Sequence, residues 1–295
     1  MKSLKWSVAI GMFALLQNAQ AAVVEVLPGQ FSPQTKPLTV LSLKTQFADY
    51  GGFYNSGQSS DSVALQDTEL KVSLTHFNRF QGVPVLGVLS AGGSETRREK
   101  PSKANNQGLD DIQVAGGFWP WVSQDRRHHL GLALAASLPT GQYDQDEAVN
   151  TGHNRYRFLG IVNLKLTLHP SWIWETYGMY ERQTDSTDAR YGSYDGTNRY
   201  DPSGSVTTYL SYKSDQHWQV YVGLEESLGG ESTFEADNGA VKVTTDAQDD
   251  TRMSVGGRLP LSRSTLLSLR YSQTVRMQTG YRQNAQWILG ISQVL

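Results

Sequence analysis

The chain contains no cysteine. Disulfides, thiolate metal centres, thiol nucleophiles and a lipidated N-terminal cysteine are thereby excluded. It also lacks any run of the roughly 18–20 apolar residues that a spanning helix needs, which excludes a helical membrane protein. An excess of charge of one sign is missing too. The formal net charge is −2 over 295 residues, which excludes a polybasic nucleic-acid binder. Aliphatic residues are scarce: only 38% of the chain is hydrophobic, and mean hydropathy is −0.43. A packed soluble enzyme of this length would be richer in Leu, Ile and Val. What the chain has in quantity is Gly (28), Tyr (14) and Trp (7).

The N-terminus reads as an export signal. Lys2 and Lys5 precede an apolar stretch from Trp6 to Leu16, and Ala19-Gln20-Ala21 supplies a small-x-small cleavage site. Residues 1–21 are therefore expected to be a signal peptide, too short in its apolar part to anchor the chain. Residues 22–36 contain Pro28 and Pro33, with Pro37 beyond, and show no strand pattern. They are expected either to fold inward as a plug or to remain in the periplasm.

From residue 37 to 295 the chain alternates with period two. Leu130, Leu132, Leu134, Ala136 and Leu138 alternate with Gly131, Ala133, Ala135 and Ser137. Trp172, Trp174, Thr176, Gly178 and Tyr180 alternate with Ile173, Glu175, Tyr177, Met179 and Glu181. The pattern predicts twelve strands, near 38–47, 67–78, 83–91, 109–120, 128–138, 155–168, 172–183, 205–213, 217–226, 250–260, 265–276 and 283–295. The gaps alternate long and short. Long polar loops at one end and tight turns at the other describe a transmembrane antiparallel β-barrel of about 12 strands with periplasmic termini. Closure leaves no unpaired edge in lipid.

A soluble sandwich or lipocalin-like barrel would also alternate, but with its apolar face inward. Against it stand aromatic residues at strand ends (Trp119, Trp121, Trp172, Trp174, Tyr212, Trp218, Trp287), as at membrane interfaces. The face opposite the apolar one carries Lys44, Glu69, Lys71, Lys165, Glu175, Glu181, Arg258 and Arg270, too many charges for a dry core. With Tyr177, Tyr209 and Tyr221 these are the candidate lumen-lining residues. If Leu168 opposes Trp172 across the turn 169–171, Lys165 faces Glu175 and Asn163 faces Tyr177 on the lumen side.

Two loops carry a family resemblance. Gly108-Leu109-Asp110-Asp111-Ile112 opens a strand and is followed by Gly116-Gly117-Phe118. Pro139-Thr140-Gly141-Gln142-Tyr143 closes the next outward strand, and Asn150-Thr151-Gly152-His153-Asn154 precedes the one after. Leu27-Pro28-Gly29-Gln30-Phe31 fits the same order. In these segments the chain resembles the MetA-pathway phenol-degradation family of outer-membrane transporters. Two departures are Asp110, where the family pattern has Gly, and Leu295, where an aromatic end is usual for recognition by the barrel-assembly machinery. The resemblance implies an outer-membrane location and transport, and hands over no defined binding site. Without it, Pro139 ends a strand and Gly141 supplies a turn conformation, a purely structural role.

Other candidate chemistry is thin. His169-Pro170-Ser171 has a His-x-Ser spacing, but Pro170 makes it a turn at the periplasmic end, with no acidic or Asn orienter in register. Asp144, Asp146 and Glu147, or Asp195-Gly196 with Asp201, could bind Ca²⁺ or be solvated acidic loops. His128 and His129 point to opposite faces of a strand and do not share a metal. Tyr191, Tyr194 and Tyr200 with Arg190 and Arg199 form either an aromatic-binding loop or a self-packing lid.

No cofactor is expected, and no catalytic or metal site. The expected partners are outer-membrane lipid, an unidentified small molecule and the assembly machinery. The function expected is a bacterial outer-membrane channel for small aromatic or hydrophobic compounds. A structural or interaction barrel with ligand-binding loops is the alternative, and a lipid-acting barrel enzyme the third reading. Twelve strands lie between the eight that side chains fill and the sixteen that leave a water channel, so a narrow or plugged lumen is expected.

Overall fold

A computed structural model describes residues 26–55, 58–100, 103–147, 149–245 and 247–295. The signal peptide expected at 1–21, and the first residues of the 22–36 segment, lie outside them. Among the described residues every regular element is a strand.

The barrel wall is built from β1 (Leu38–Asn55), β2 (Gln58–Phe80), β3 (Val83–Lys100), β4 (Ala104–Leu109), β5 (Ile112–Val122), β6 (His129–Leu138), β7 (Arg157–His169), β8 (Trp172–Gln183), β11 (Ser203–Lys213), β12 (Gln219–Gly229), β15 (Gln248–Pro260) and β16 (Thr265–Val294). Each pairs antiparallel with its neighbours, and pairing of β2 with both β1 and β3 closes the sheet. β4 and β5 are one crossing, because both pair with β3 on either side of Asp110 and Asp111. β16 makes two crossings: its first half pairs with β15 and its second half, from Gly280, with β1. Gly280 turns that hairpin at φ +114°, a conformation open to glycine. The wall is thus crossed twelve times, as the alternation predicts.

Faces divide as the period requires. Leu43, Leu70, Leu74, Leu134, Val162, Leu210, Val222, Val255 and Leu289 are exposed large apolar residues on the outside. Ser90, Ser137, Asn163, Glu175, Glu181, Thr207, Ser211 and Arg270 are buried inside. In water this inside-out arrangement would cost about 25 cal/mol for each Å² of apolar surface left exposed. In lipid it is the stable one.

Lys165 pairs with Glu175 and Asn163 with Tyr177. Trp172, however, pairs with His169, so Leu168 is the extra residue of a bulge. Gaps 48–66 and 92–108 are not loops. β1 and β2 stay paired to Asn55 and Gln58, and β3 with β4 to Arg98 and Ala104. There the sequence is dominated by Gly, Ser and charged residues and carries no clean apolar alternation to read. Trp119 is the exception among the predicted interface aromatics. It lies in phase with the inward Ala115 and out of phase with the exposed Phe118, and is only 3% exposed; the shift of register between Phe118 and Trp121 instead brings Trp121 out.

At the long-loop end a second sheet forms from β9 (Ser186–Tyr191), β10 (Tyr194–Tyr200), β13 (Ser232–Ala236) and β14 (Lys242–Thr245), in the order β14-β13-β10-β9. Phe234, Ala189 and Ala236 form its small core, with Tyr191 stacked on Phe234 at 5.5 Å.

Candidate functional site

The N-terminal residues Val26 to Ser32 run inside the barrel, and side chains on the wall hold them mainly through backbone atoms. Glu175 accepts the Gly29 N–H at 2.9 and 3.1 Å. Arg258 donates to Pro28 O at 2.8 Å. Tyr209 OH donates to Val26 O at 3.0 Å, and Tyr177 OH, which donates to Glu175, lies 3.4 Å from Leu27 O. Trp119 Nε1 donates to Phe31 O at 3.3 Å. Lys165 Nζ reaches Ser32 Oγ at 3.3 Å. The sequence supplies the means locally. Gly29 has φ +73°, and Gln30 N–H donates to Leu27 O at 3.1 Å, so Leu27-Pro28-Gly29-Gln30 is a tight turn whose tip points at Glu175.

Tyr177, Tyr209 and Tyr221 form an edge-to-face ladder beneath this turn, with ring centroids 6.2 and 5.5 Å apart. Phe31 meets Tyr177 edge-on at 6.2 Å. On its other side Trp119 stacks on Phe77 at 6.3 Å and meets His129 edge-on at 6.5 Å. The indole fits because the next strand carries Gly131 there: a Cβ at that position would lie 3.1 Å from Nε1. Sequence reasoning missed Trp119, Phe77 and His129. For Trp119 the signal available was alternation itself, since it is in phase with Ala115 and Gly117 and out of phase with Val114 and Phe118.

Each of the eleven candidate lumen residues points inward. Lys44 sits opposite Lys71, a like-charge pair relieved by the Lys71–Glu69 ion pair at 2.5 Å. Glu181 pairs with Arg157 at 2.9 Å. Arg270 donates to Gln286 Oε1 at 2.9 Å and to Tyr209 OH at 3.3 Å. The remaining six, Lys165, Glu175, Tyr177, Tyr209, Tyr221 and Arg258, surround the N-terminal turn. Beside that turn runs a cavity of about 600 Å³. It reaches from Ser262 and Ser264, in the turn between β15 and β16, to Asn150 and His153 in the loop before β7. Its lining is mixed, with apolar residues (Val40, Phe77, Leu86, Val88, Ala115, Ile161) and polar ones (Lys44, Gln46, Asp67, Glu69, Ser268, Arg270).

The loop motifs converge at the other end of this cavity. Asp111, nearly fully buried, accepts the Gly141 N–H at 2.9 Å and the His153 N–H at 3.1 Å, with His153 Nδ1 at 3.2 Å. Arg157 donates to His153 Nε2 at 3.2 Å, which requires a neutral ring with its proton on Nδ1. Burial, with the Arg157 charge beside it, pushes His153 down to about 4 despite Asp111. Burial alone would raise the Asp111 carboxyl, but its bonds from His153 and Gly141 outweigh that and hold it below its ordinary value.

Gly141 and Gly152 touch through their backbones. A Cβ on Gly141 would lie 2.8 Å from Gly152 Cα, and one on Gly152 2.6 Å from Gly141 C. Gly108 leaves room for Gln142 and Thr151. Thr140 Oγ1 accepts the Ile112 N–H at 2.9 Å, tying the end of β6, which Pro139 closes, to the start of β5. Asp110 takes Ser94 Oγ at 2.5 Å and faces the cavity. The segments that are distant in sequence thus form one docking point for the loop 139–156.

The remaining candidates lie elsewhere. His169 Nδ1 faces the backbone N–H of Ser171 at 3.4 Å, in an exposed turn. Asp146 and Asp195 both pair with Arg190, so the two acidic loops meet on a guanidinium. Tyr200 lies under Arg155, 4.1 Å from ring centroid to guanidinium carbon, and Tyr143 OH donates to Asp188 O at 2.6 Å. Among the described residues no group of three His, Cys, Asp or Glu side chains is placed to hold a metal ion.

The fold is that of outer-membrane barrels. An outer membrane channel from Pseudomonas putida F1 is 18% identical, with a TM-score of 0.84 over 92% of this chain and 100% of that one. The β domain of the Bordetella autotransporter BrkA gives 0.55 at 12% identity, over 87% and 100% of the two chains. The deltaS2 mutant of the TodX monoaromatic hydrocarbon channel gives 0.52 at 11% identity, over 90% and 91%. No curated protein matches the chain. Residues 48–288 match the family described as "Putative MetA-pathway of phenol degradation", and the chain belongs to that family.

Proposed function

We propose that this protein is an outer-membrane channel for small aromatic or hydrophobic compounds, with the turn end in the periplasm and residues 22–36 acting as a plug. The observation that carries this reading is the cavity that runs beside the N-terminal turn from one end of the barrel to the other. Its mixed apolar and polar lining suits a solute with an apolar body and a polar substituent. The monoaromatic hydrocarbon channel among the similar folds and the family's link to phenol degradation support the aromatic class. The eleven inward side chains are the proposed lining of the path, and six of them seat the plug. His169 Nδ1 faces the backbone N–H of Ser171, so the His-x-Ser spacing forms part of a turn.

Single-channel recording in planar bilayers tests this reading. Phenol on the loop side is expected to interrupt the ionic current in a concentration-dependent way, and mannitol is expected to leave it unaltered. A protein that inserts but never conducts would contradict it.

A further inference from the structure

We propose that the Phe31 ring stands in the binding subsite of an aromatic solute, so that solute binding and plug seating exclude each other. The inference rests on the channel reading above and names its subsite. Three observations carry it.

First, the ring is boxed by fixed aromatic groups. Phe31 is 8% exposed, meets Tyr177 edge-on at 6.2 Å, and packs in one cluster with Phe77 and Trp119. Trp119 points inward from β5 and lies over Gly131. These groups belong to the barrel and remain when the segment leaves.

Second, the segment is gripped by its main chain: Val26 O, Pro28 O, Gly29 N–H and Phe31 O take the wall's hydrogen bonds. Its one aromatic ring is the side chain that fills a shaped apolar space. A phenyl-sized apolar hollow stays dry and accepts benzene-like molecules. The Trp119 Nε1–H, satisfied here by Phe31 O, would be left without a partner if the segment withdrew. It would then favour a ligand that brings an acceptor.

Third, Phe31 and Phe77 both line the through-cavity, so the vacated space opens directly onto the solute's path. The ligand class is therefore a single-ring aromatic carrying one hydrogen-bond acceptor, entering edge-on to Tyr177 with its oxygen at Trp119.

The test uses the full chain in detergent and 4-fluorophenol observed by fluorine NMR. Phe31→Ala is expected to bind the probe saturably and at least about tenfold more tightly than wild type, because the competing ring is gone. Adding Trp119→Phe to that variant is expected to weaken binding several-fold while keeping the box aromatic. In wild type, saturating probe is expected to speed amide exchange at Gly29, Gln30 and Phe31. Equal binding by wild type and Phe31→Ala, no saturable binding to a folded Phe31→Ala barrel, or wild-type binding without faster exchange would each overturn the proposal. The channel reading is judged separately, by the conductance of a chain lacking residues 26–36. A rise there with no gain of binding in Phe31→Ala sinks the subsite and leaves the plug.

Discussion

The Gly29 N–H points between both carboxylate oxygens of Glu175, at 2.9 and 3.1 Å, across 146 residues of chain. Glu175 is 1% exposed, and the Tyr177 hydroxyl donates to it at 3.0 Å. The carboxylate therefore ties the tip of the N-terminal turn to the barrel wall. A hydrogen bond to a charged group contributes about 1.5–3 kcal/mol. Glu175→Ala is expected to raise amide exchange at Gly29 by about ten- to a hundredfold, leaving exchange in the outer sheet unchanged. Exchange at Gly29 equal to wild type would show that the turn is held elsewhere.

Gly141 and Gly152 make a second prediction. Their backbones approach too closely for any Cβ, with contacts of 2.6–2.9 Å to main-chain atoms. Gly141→Ala or Gly152→Ala must push the loop 139–156 off β5, at about 1–3 kcal/mol. Proteolysis within the loop is expected to accelerate by about five- to a hundredfold. Gly87→Ala is the control, because nothing lies within 4 Å of its added Cβ.

The same loop is expected to loosen in acid. His153 is held neutral down to about 4, while an unfolded histidine protonates near 6.5. Between those values the released loop binds more protons than the docked one, so docking weakens as pH falls from about 6.5 to 4. Asp111, held below its ordinary value, adds a further loss only below about 4. Amide exchange in the loop, corrected for intrinsic rates, is expected to rise across the upper window. His153→Gln should abolish that rise, and a pH-independent wild type would contradict the assignment.

The barrel was legible because lipid imposes a period. Leu134 must face out where Ala133 and Ala135 face in, and twelve such stretches could be read from the sequence. The pairing of Lys165 with Glu175 followed from turn length. The bulge at Leu168 did not, since either residue count keeps the same faces beyond it. The outer sheet was hidden for a related reason. β9 and β10 cover only a small core around Phe234, with Ala189, Ala236, Tyr191, Val241 and Val243, so their sequence carries many hydroxyls and charges. Asp111 and the Gly141–Gly152 contact were visible as motifs, but their meeting depends on loop geometry that no periodicity encodes. Trp119 was misplaced because it was grouped with Trp121 as a strand-end aromatic, whereas alternation puts it inward with Ala115 and the bulge after it turns Trp121 out.

The conductance of single molecules in planar bilayers tests the account most directly, comparing the full chain with one lacking residues 26–36. A seated N-terminal turn blocks part of the lumen, so its removal is expected to raise the conductance severalfold. Equal conductance of the two folded proteins would mean that the turn does not close the path, and that the cavity beside it is the whole channel or none of it.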